Sequence, residues 1–332
     1  MLGRHFEREI REQPDVWRRL ARGDAAQRLA RALGDDEVVL VGSGSSLNAA
    51  ALGALALRRH GRRAQALAAT EAHLDHRTYE KKTVVAVSQS GRSADLLAAI
   101  DVLRPKTLIA LTNSNGSPLA RRARTVVDVE AGPESAVPAS KSVSATVAIL
   151  LHAASLLEGS TTRNAAVLIE AADAVDAWFV SPEYQTLVEV AHEIAKRRST
   201  LFLGTDYGFP IAREAALKLK EASYLHAEGF AAGEFRHGSI AMVDDSVCVV
   251  GIADDDGLAI VERPLRELRS SGALRVTIGC EIDGMTPVGP RVFDPFNTLA
   301  WLVAIQSIAL HAARVRNVDS DAPRGLRKAL GE

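Results

Sequence analysis

The sequence predicts an α/β protein built from two tandem doubly wound parallel sheets. Three observations carry that expectation. Short uninterrupted apolar runs such as Thr83–Val87 (TVVAV) read as strands buried on both faces. Each run is followed by a polar turn and then a helical segment, the alternation of a covered parallel sheet. The order of elements in the first half also returns in the second, and 332 residues is about two domain lengths.

Taken in order, residues 37–41 (EVVLV) form the first strand, leading through Gly42-Ser43-Gly44-Ser45-Ser46 into a helix over about 47–59. The strand at 83–87 is followed by a helix over about 93–103, and 107–112 and 126–129 complete the first set. A helix-rich stretch covers about 140–197. Residues 200–203 (TLFL) then restart the pattern, with Pro210 at a plausible first helical position. Strands are expected at 246–252 and 274–278 around a helix at about 258–271, then a short element at 291–294 and a long apolar helix to about 313. The boundary falls near Val180-Ser181-Pro182. This gives a first unit over 1–180, including an N-terminal helix, and a second over 181–332.

Composition narrows the function classes. Forty Lys+Arg against forty-one Asp+Glu leave a net charge of −1, which offers no electrostatic footprint for nucleic acid or an anionic membrane. A 47% hydrophobic and 24% charged chain is not largely disordered. Cys248 and Cys280 lie in separate apolar runs, which argues against a disulfide framework and for a reducing compartment. The start MLGRHFEREIREQ is charged where a signal peptide is apolar, and the apolar segments 145–157 and 299–313 read as buried helices. The expectation is a soluble, cytoplasmic protein. His73 and His76 lack companions for a metal site, and Asp254-Asp255-Asp256-Gly257 lacks the glycine register and glutamate of a calcium loop. No metal or cofactor is expected.

Ligands of open parallel sheets bind at the carboxyl ends of strands, so the turns after Val41 and Val87 are the places to look. Ser88-Gln89-Ser90-Gly91-Arg92-Ser93 offers hydroxyls, an amide and a glycine just before a helix, where backbone N–H groups favour an anion. No lysine follows the glycine in Walker spacing, so a small phosphomonoester fits better than a nucleoside triphosphate. The alternative is that Ser93 caps its helix and the other serines are turn residues. The turn 42–46 fails as a dinucleotide fingerprint: Leu47 occupies the third glycine's place and no acid follows near Gly61-Arg62-Arg63. In the second half, Lys218 and Glu221 stand at i and i+3 on one helix face, with Leu217, Ala222 and Leu225 as its packed side. They are either a base and an ammonium acting on one substrate or a surface ion pair.

The segment 204–244, GTDYGFPIAREAALKLKEASYLHAEGFAAGEFRHGSIAMVDD, resembles the double sugar-isomerase (SIS) domain family. That family includes the isomerase half of glucosamine-6-phosphate synthase and stand-alone glucosamine-6-phosphate deaminases. Gly44-Ser45-Ser46, Ser88-Gln89-Ser90-Gly91, Ala139-Ser140-Lys141 and the tail 319–328 (DSDAPRGLRK) recur in family order, so the resemblance covers nearly the whole chain. It implies flavodoxin-like SIS domains and aldose–ketose chemistry on a hexose 6-phosphate. By resemblance Glu221 carries the C1/C2 proton, Lys218 assists at the sugar oxygens, and His237 opens the ring, reaching across a homodimer interface. Lys328 matches a lysine that forms a Schiff base with the C2 carbonyl; its alternative is a solvated tail residue. The phosphate is expected among Gly44, Ser45, Ser46, Ser88, Gln89, Ser90 and Ser93, with Val137 and Ala139 near the sugar. Ala139 stands where the synthase has a serine. The second repeat's acidic turn after Ile252 is expected to repel phosphate.

The chain starts directly with the sugar domains, so an enzyme without a glutaminase domain is expected. Arg92 in Ser-Gln-Ser-Gly-Arg-Ser makes the loop most similar to the stand-alone deaminases, which convert glucosamine 6-phosphate to fructose 6-phosphate and ammonia. A fructosamine-6-phosphate deglycase or a simple phosphosugar isomerase are the alternatives. From another class, a non-catalytic phosphosugar sensor stays open, although all four expected catalytic positions hold reactive side chains.

Overall fold

The computed structural model describes residues 2–74, 76–157, 163–292 and 294–328. Three helices, α1 (Arg4–Arg11), α2 (Gln13–Arg22) and α3 (Ala25–Leu33), precede the first strand. The first run is β1 (Val38–Gly42), α4 (Ser45–Arg59), β2 (Ala64–Ala68), α5 (His76–Tyr79), β3 (Thr83–Val87) and α6 (Ala94–Leu103). It ends with β4 (Thr107–Thr112), α7 (Pro118–Arg122) and β5 (Thr125–Asp128). The helices α8 (Lys141–Leu156), α9 (Arg163–Trp178) and α10 (Pro182–Ala195) follow. The second run is β6 (Ser199–Gly204), α11 (Gly208–Ser223), β7 (His226–Ala231), α12 (Ala232–Phe235), β8 (Val247–Ile252) and α13 (Leu258–Glu267). β9 (Leu274–Ile278), β10 (Thr286–Val288) and α14 (Asn297–Val315) complete it.

Both sheets are five-stranded and parallel throughout, ordered β2-β1-β3-β4-β5 and β10-β9-β8-β6-β7. Numbered within its own run, each is therefore 2-1-3-4-5, the flavodoxin-like order. This is the expected fold class, and the shared order is the structural form of the repeat. The compact units interleave in sequence. One holds Asp15–Glu134, Lys141–Ile169 and Lys328; the other holds the chain up to Pro14, Ser135–Ser140 and Glu170–Arg327.

In the first-sheet unit β1 and β3 are buried at every residue. Val39, Val41, Val84, Ala86 and Ala110 face Leu96, Ala99, Ile100 and Leu103 of α6. On the other side α4 and α8 pack together, and Gly53 lets Leu150 approach closely: a Cβ there would lie 2.8 Å from Leu150 Cδ1. In the second-sheet unit Leu201, Leu203, Val247 and Val249 pack with Phe235 of α12 and Val261 and Leu265 of α13. There α11 and α10 both lie against α14. In each sheet the first strand ends on a glycine, Gly42 or Gly204, where a Cβ would strike the backbone of the helix that follows. That close strand-to-helix turn recurs at the same point of both repeats.

Several local expectations change. β2 and β7 are edge strands whose residues are mostly only partly buried, so AQALA and HAEGFA lack the apolar run that marks a central strand. The short element at 291–294 is not a strand among its described residues; β10 lies earlier, at Thr286–Val288. α11 begins at Gly208, so Pro210 is its third residue, still within the first turn whose N–H groups have no intrahelical acceptor. α14 is long and apolar enough to cross a membrane by length and composition, but 83% of its apolar window is buried within the protein. Both cysteines are free and buried, and burial pushes their thiols up to about 12 for Cys248 and about 11 for Cys280. Neither is a thiolate nucleophile at neutral pH.

A half-buried histidine on α14 generates a pH prediction. Tyr184 Oη lies 3.0 Å from His311 Nε2, and burial, with Arg314 adding repulsion, pulls the imidazole down to about 4. The unfolded chain takes up this proton near 6.5 and the folded chain only near 4. Stability therefore falls as pH drops from 6.5 toward 4, by about 3 kcal/mol from this group. Thermal melts across that interval show the decline, and His311→Gln flattens it.

Candidate active site

The β3–α6 turn is fixed by one hydrogen bond of its own and by two from the end of β4. Ser88 Oγ accepts from Gly91 N at 3.1 Å, and Gln89 O accepts from Asn113 N at 3.1 Å and Thr112 Oγ1 at 3.2 Å. Gly91 sits at φ 61°, and a Cβ there would run into Ser117 Oγ, which already caps α7. Only glycine suits that point. Ser93 occupies the N-cap position of α6 but makes no side-chain cap bond, so its hydroxyl is not spent on the helix. The result is a cavity of about 170 Å³ lined by Ser43, Ser46, Val87, Ser88, Gln89, Ser90, Ser93 and Leu96.

Five of the expected phosphate residues, Ser46, Ser88, Gln89, Ser90 and Ser93, thus come together. Gly44 and Ser45 do not line the cavity: Gly44 is the N-cap position of α4 and Ser45 its first residue. Ser43 takes their place. Its signal was present, since it lies in the same serine-rich turn. The equivalent turn of the second repeat is acidic. Asp254, Asp255, Asp256, Glu281 and Asp294 line a cavity of about 520 Å³ with Arg291, a field that disfavours an anion.

In the other unit, α11 carries an ionic constellation along one face. Lys218 Nζ lies 2.5 Å from Glu221 Oε2 and 3.6 Å from Glu214 Oε1. The Lys218 and Glu214 side chains are 1% exposed and Glu221 is 21% exposed. This is not a surface pair. The sheet and α14 cover α11 from several sides, so its buried stripe is broad. Leu217, expected on the packed side, is only partly buried, while Ala222 and Leu225 are buried with Leu219. Glu214 is a second residue missed in the sequence, although the spacing E-x-x-x-K-x-x-E puts all three on one face. One ammonium between two carboxylates leaves Glu221 anchored yet partly accessible, a geometry suited to moving a proton.

The remaining expected residues are dispersed. His237 is exposed, just beyond α12. Val137 and Ala139 are partly buried, and Val137 N donates to Asp321 O at 3.4 Å. Lys328 is no solvated tail residue: its side chain is 8% exposed and Nζ donates to the buried Glu134 at 2.9 Å. No cluster of His, Cys, Asp and Glu among the described residues could hold a metal ion. The side chain of His76 lies outside the described residues.

Removing the cation from the α11 constellation is costly. Lys218→Met leaves Glu214 and Glu221 without it and is expected to destabilise the fold by about 3–5 kcal/mol, read by denaturant unfolding.

Comparison with known proteins places this geometry in a family. The SIS domain profile matches residues 34–156 and 193–284, well over half of the chain. The glutamine–fructose-6-phosphate aminotransferase (isomerizing) of Leifsonia xyli is 31% identical over 97% of this chain. The chain spans 58% of that relative's length, little more than half of the curated protein it matches. Among solved structures, the C-terminal domain of glucosamine-fructose-6-phosphate aminotransferase from Francisella tularensis superposes with a TM-score of 0.83 at 23% identity, covering 96% of this chain and 98% of its own. A glucosamine-6-phosphate deaminase from Thermotoga maritima gives 0.80 at 24% identity, covering 97% and 98%. Both share the fold. With its two 2-1-3-4-5 sheets and its profile match in each half, the chain belongs to the SIS domain family.

Proposed function

We propose that the protein is an aldose–ketose isomerase and deaminase of amino-sugar 6-phosphates, converting glucosamine 6-phosphate and water to fructose 6-phosphate and ammonia. The observation that carries this reading is the buried Glu214–Lys218–Glu221 constellation on α11. Burying charge of this kind is expensive, and such sites are where proton chemistry is found. A protein that only senses a phosphosugar has no use for it. In this reading Glu221 carries the proton between C1 and C2, and Lys218 assists at the sugar oxygens. The serine cavity of the β3–α6 turn takes the phosphate through hydroxyls and the N-terminus of α6, which needs no net positive charge. Gly44 and Ser45 lie between the lining residues Ser43 and Ser46 in the turn into α4, and Val137 and Ala139 are assigned a place near the sugar.

His237 is assigned ring opening, and its exposure suits a side chain delivered into the partner's site of a homodimer. Lys328 is assigned the Schiff base with the C2 carbonyl. A cytoplasmic setting belongs to the same reading. The Leifsonia relative, named for fructose 6-phosphate and an isomerizing aminotransferase, supports the substrate class.

The test is an ammonia-release assay with glucosamine, galactosamine and fructosamine 6-phosphates. Glucosamine 6-phosphate is expected to yield ammonia and fructose 6-phosphate in equal amounts. Release from fructosamine phosphate alone would favour a deglycase, and no release from any of them would remove the deaminase. Glu221→Gln is expected to keep ligand affinity within about threefold while kcat falls roughly 10²–10⁴-fold.

A further inference from the structure

We propose that Glu134 docks Lys328 and takes up its proton when the amine attacks a ketose carbonyl, an assignment that rests on the Schiff-base role given to Lys328 above. The contact lies within one compact unit. Lys328 Nζ donates to Glu134 Oε2 at 2.9 Å, and the Glu134 side chain is 0% exposed. The same oxygen accepts from Ser142 Oγ at 2.7 Å, and Oε1 accepts from Ser142 N at 3.1 Å. Ser142 is the second residue of α8, so its N–H belongs to a first turn that has no intrahelical acceptors. Glu134 is thereby pinned to the start of a buried helix. Lys141, buried beside it at the first position of α8, donates Nζ to Pro133 O at 2.7 Å and ties down the chain on the other side of Glu134.

A carboxylate fixed in this way gives a tail lysine one defined position, and pre-set position is a large part of a catalytic group's effect. It also solves a chemical problem. An ammonium has no lone pair with which to attack. One proton passes from Lys328 Nζ to Glu134, and the freed pair forms the C–N bond to C2 as the carbonyl π pair moves onto oxygen. That oxygen takes the proton back from Glu134, giving a carbinolamine with a protonated nitrogen. The nitrogen's next proton goes to Glu134 and on to the hydroxyl, which leaves as water while the nitrogen pair closes the C=N bond. The net change is ammonium plus ketone to iminium plus water, and Glu134 ends as a carboxylate.

Borohydride trapping with fructose 6-phosphate, read by peptide mass spectrometry, tests this. Wild-type protein is expected to carry a reduced adduct on Lys328. Glu134→Gln, equal in shape but unable to accept the proton, is expected to slow labelling and kcat together by about 100-fold, with KM held within about threefold. Glu134→Asp is expected to recover at least about tenfold over the Gln variant. Wild-type labelling in Glu134→Gln, or a loss confined to KM, overturns the assignment. Because Glu134 also holds the start of α8, Ser142→Ala is the second variant. It removes the hydroxyl bond, keeps the carboxylate and is expected to label within about threefold of wild type. A 100-fold loss there reduces Glu134 to a structural support for α8 and overturns its role with the proton. Absence of any Lys328 adduct in wild-type protein defeats the Schiff-base role itself, and this assignment with it, before any Glu134 variant is made.

Discussion

A parallel strand buried on both faces leaves no room for charged side chains along its length, and little for polar ones beyond a small hydroxyl such as that of Thr83 or Thr200. β1, β3, β6 and β8 are all of this kind, every residue buried, so helices must cover both sides of each sheet. Polar chemistry is pushed to the strand ends, where the chain turns into the next helix and backbone N–H groups have no partner. The serine cavity after β3 follows from this constraint, as does the acidic cavity after β8. The glycines that end β1 and β6 keep those turns tight enough for helix and strand to touch. One architectural rule, applied twice, produces two unlike cavities: the first is lined by the turns after β1 and β3, the second by the turns after β8 and β9 and the start of α14.

Among the polar groups that enter the interior are carboxylates that accept backbone N–H groups. Glu9 of α1, fully buried, accepts from the backbone N–H of Ser135 at 2.5 Å and of Ala136 at 3.3 Å. Asp321 receives the N–H groups of His5 and Phe6 at 2.9 and 2.8 Å, capping a helix whose own N-cap residue, Gly3, has no side chain to do so. Glu134 does the same for α8. Charge-assisted bonds of this type are about twice as strong as neutral ones, and they fix segments that lie far apart in the chain. The N-terminal helix, which also buries Phe6 and Ile10, the segment around 135–140 and the C-terminal tail are therefore tied to one another by these side chains. The candidate residues Val137, Ala139 and Lys328 all lie in segments held this way.

Much of the fold was legible because central strands announce themselves. β3, β4 and β9 coincide with the runs read from the sequence, and the repeat was visible as an order of elements. β2 and β7 were not legible. An edge strand is half covered, so alanine, glutamine, histidine and glutamate are tolerated there and no apolar run forms. In the candidate site, the serine loop and the Lys218/Glu221 spacing were readable because they are local: a turn and one helix face. Glu214 was within reach of the same spacing argument. Glu134 was not, since it stands 194 residues from Lys328.

The amino-acid sequence alone determined two α/β repeats, the serine-rich turn at the end of the third strand and the i, i+3 pairing on the helix after the sixth. These depend on residue types and spacings that act over one or two turns of chain. Tertiary structure alone decided that Lys218 is buried instead of solvated, that Gly44 and Ser45 stand back from the cavity while Ser43 lines it, and that Lys328 meets a buried carboxylate. The physical reason is common to all three. Burial and long-range ion pairing are set by which elements cover a side chain, and no local pattern of residues encodes that.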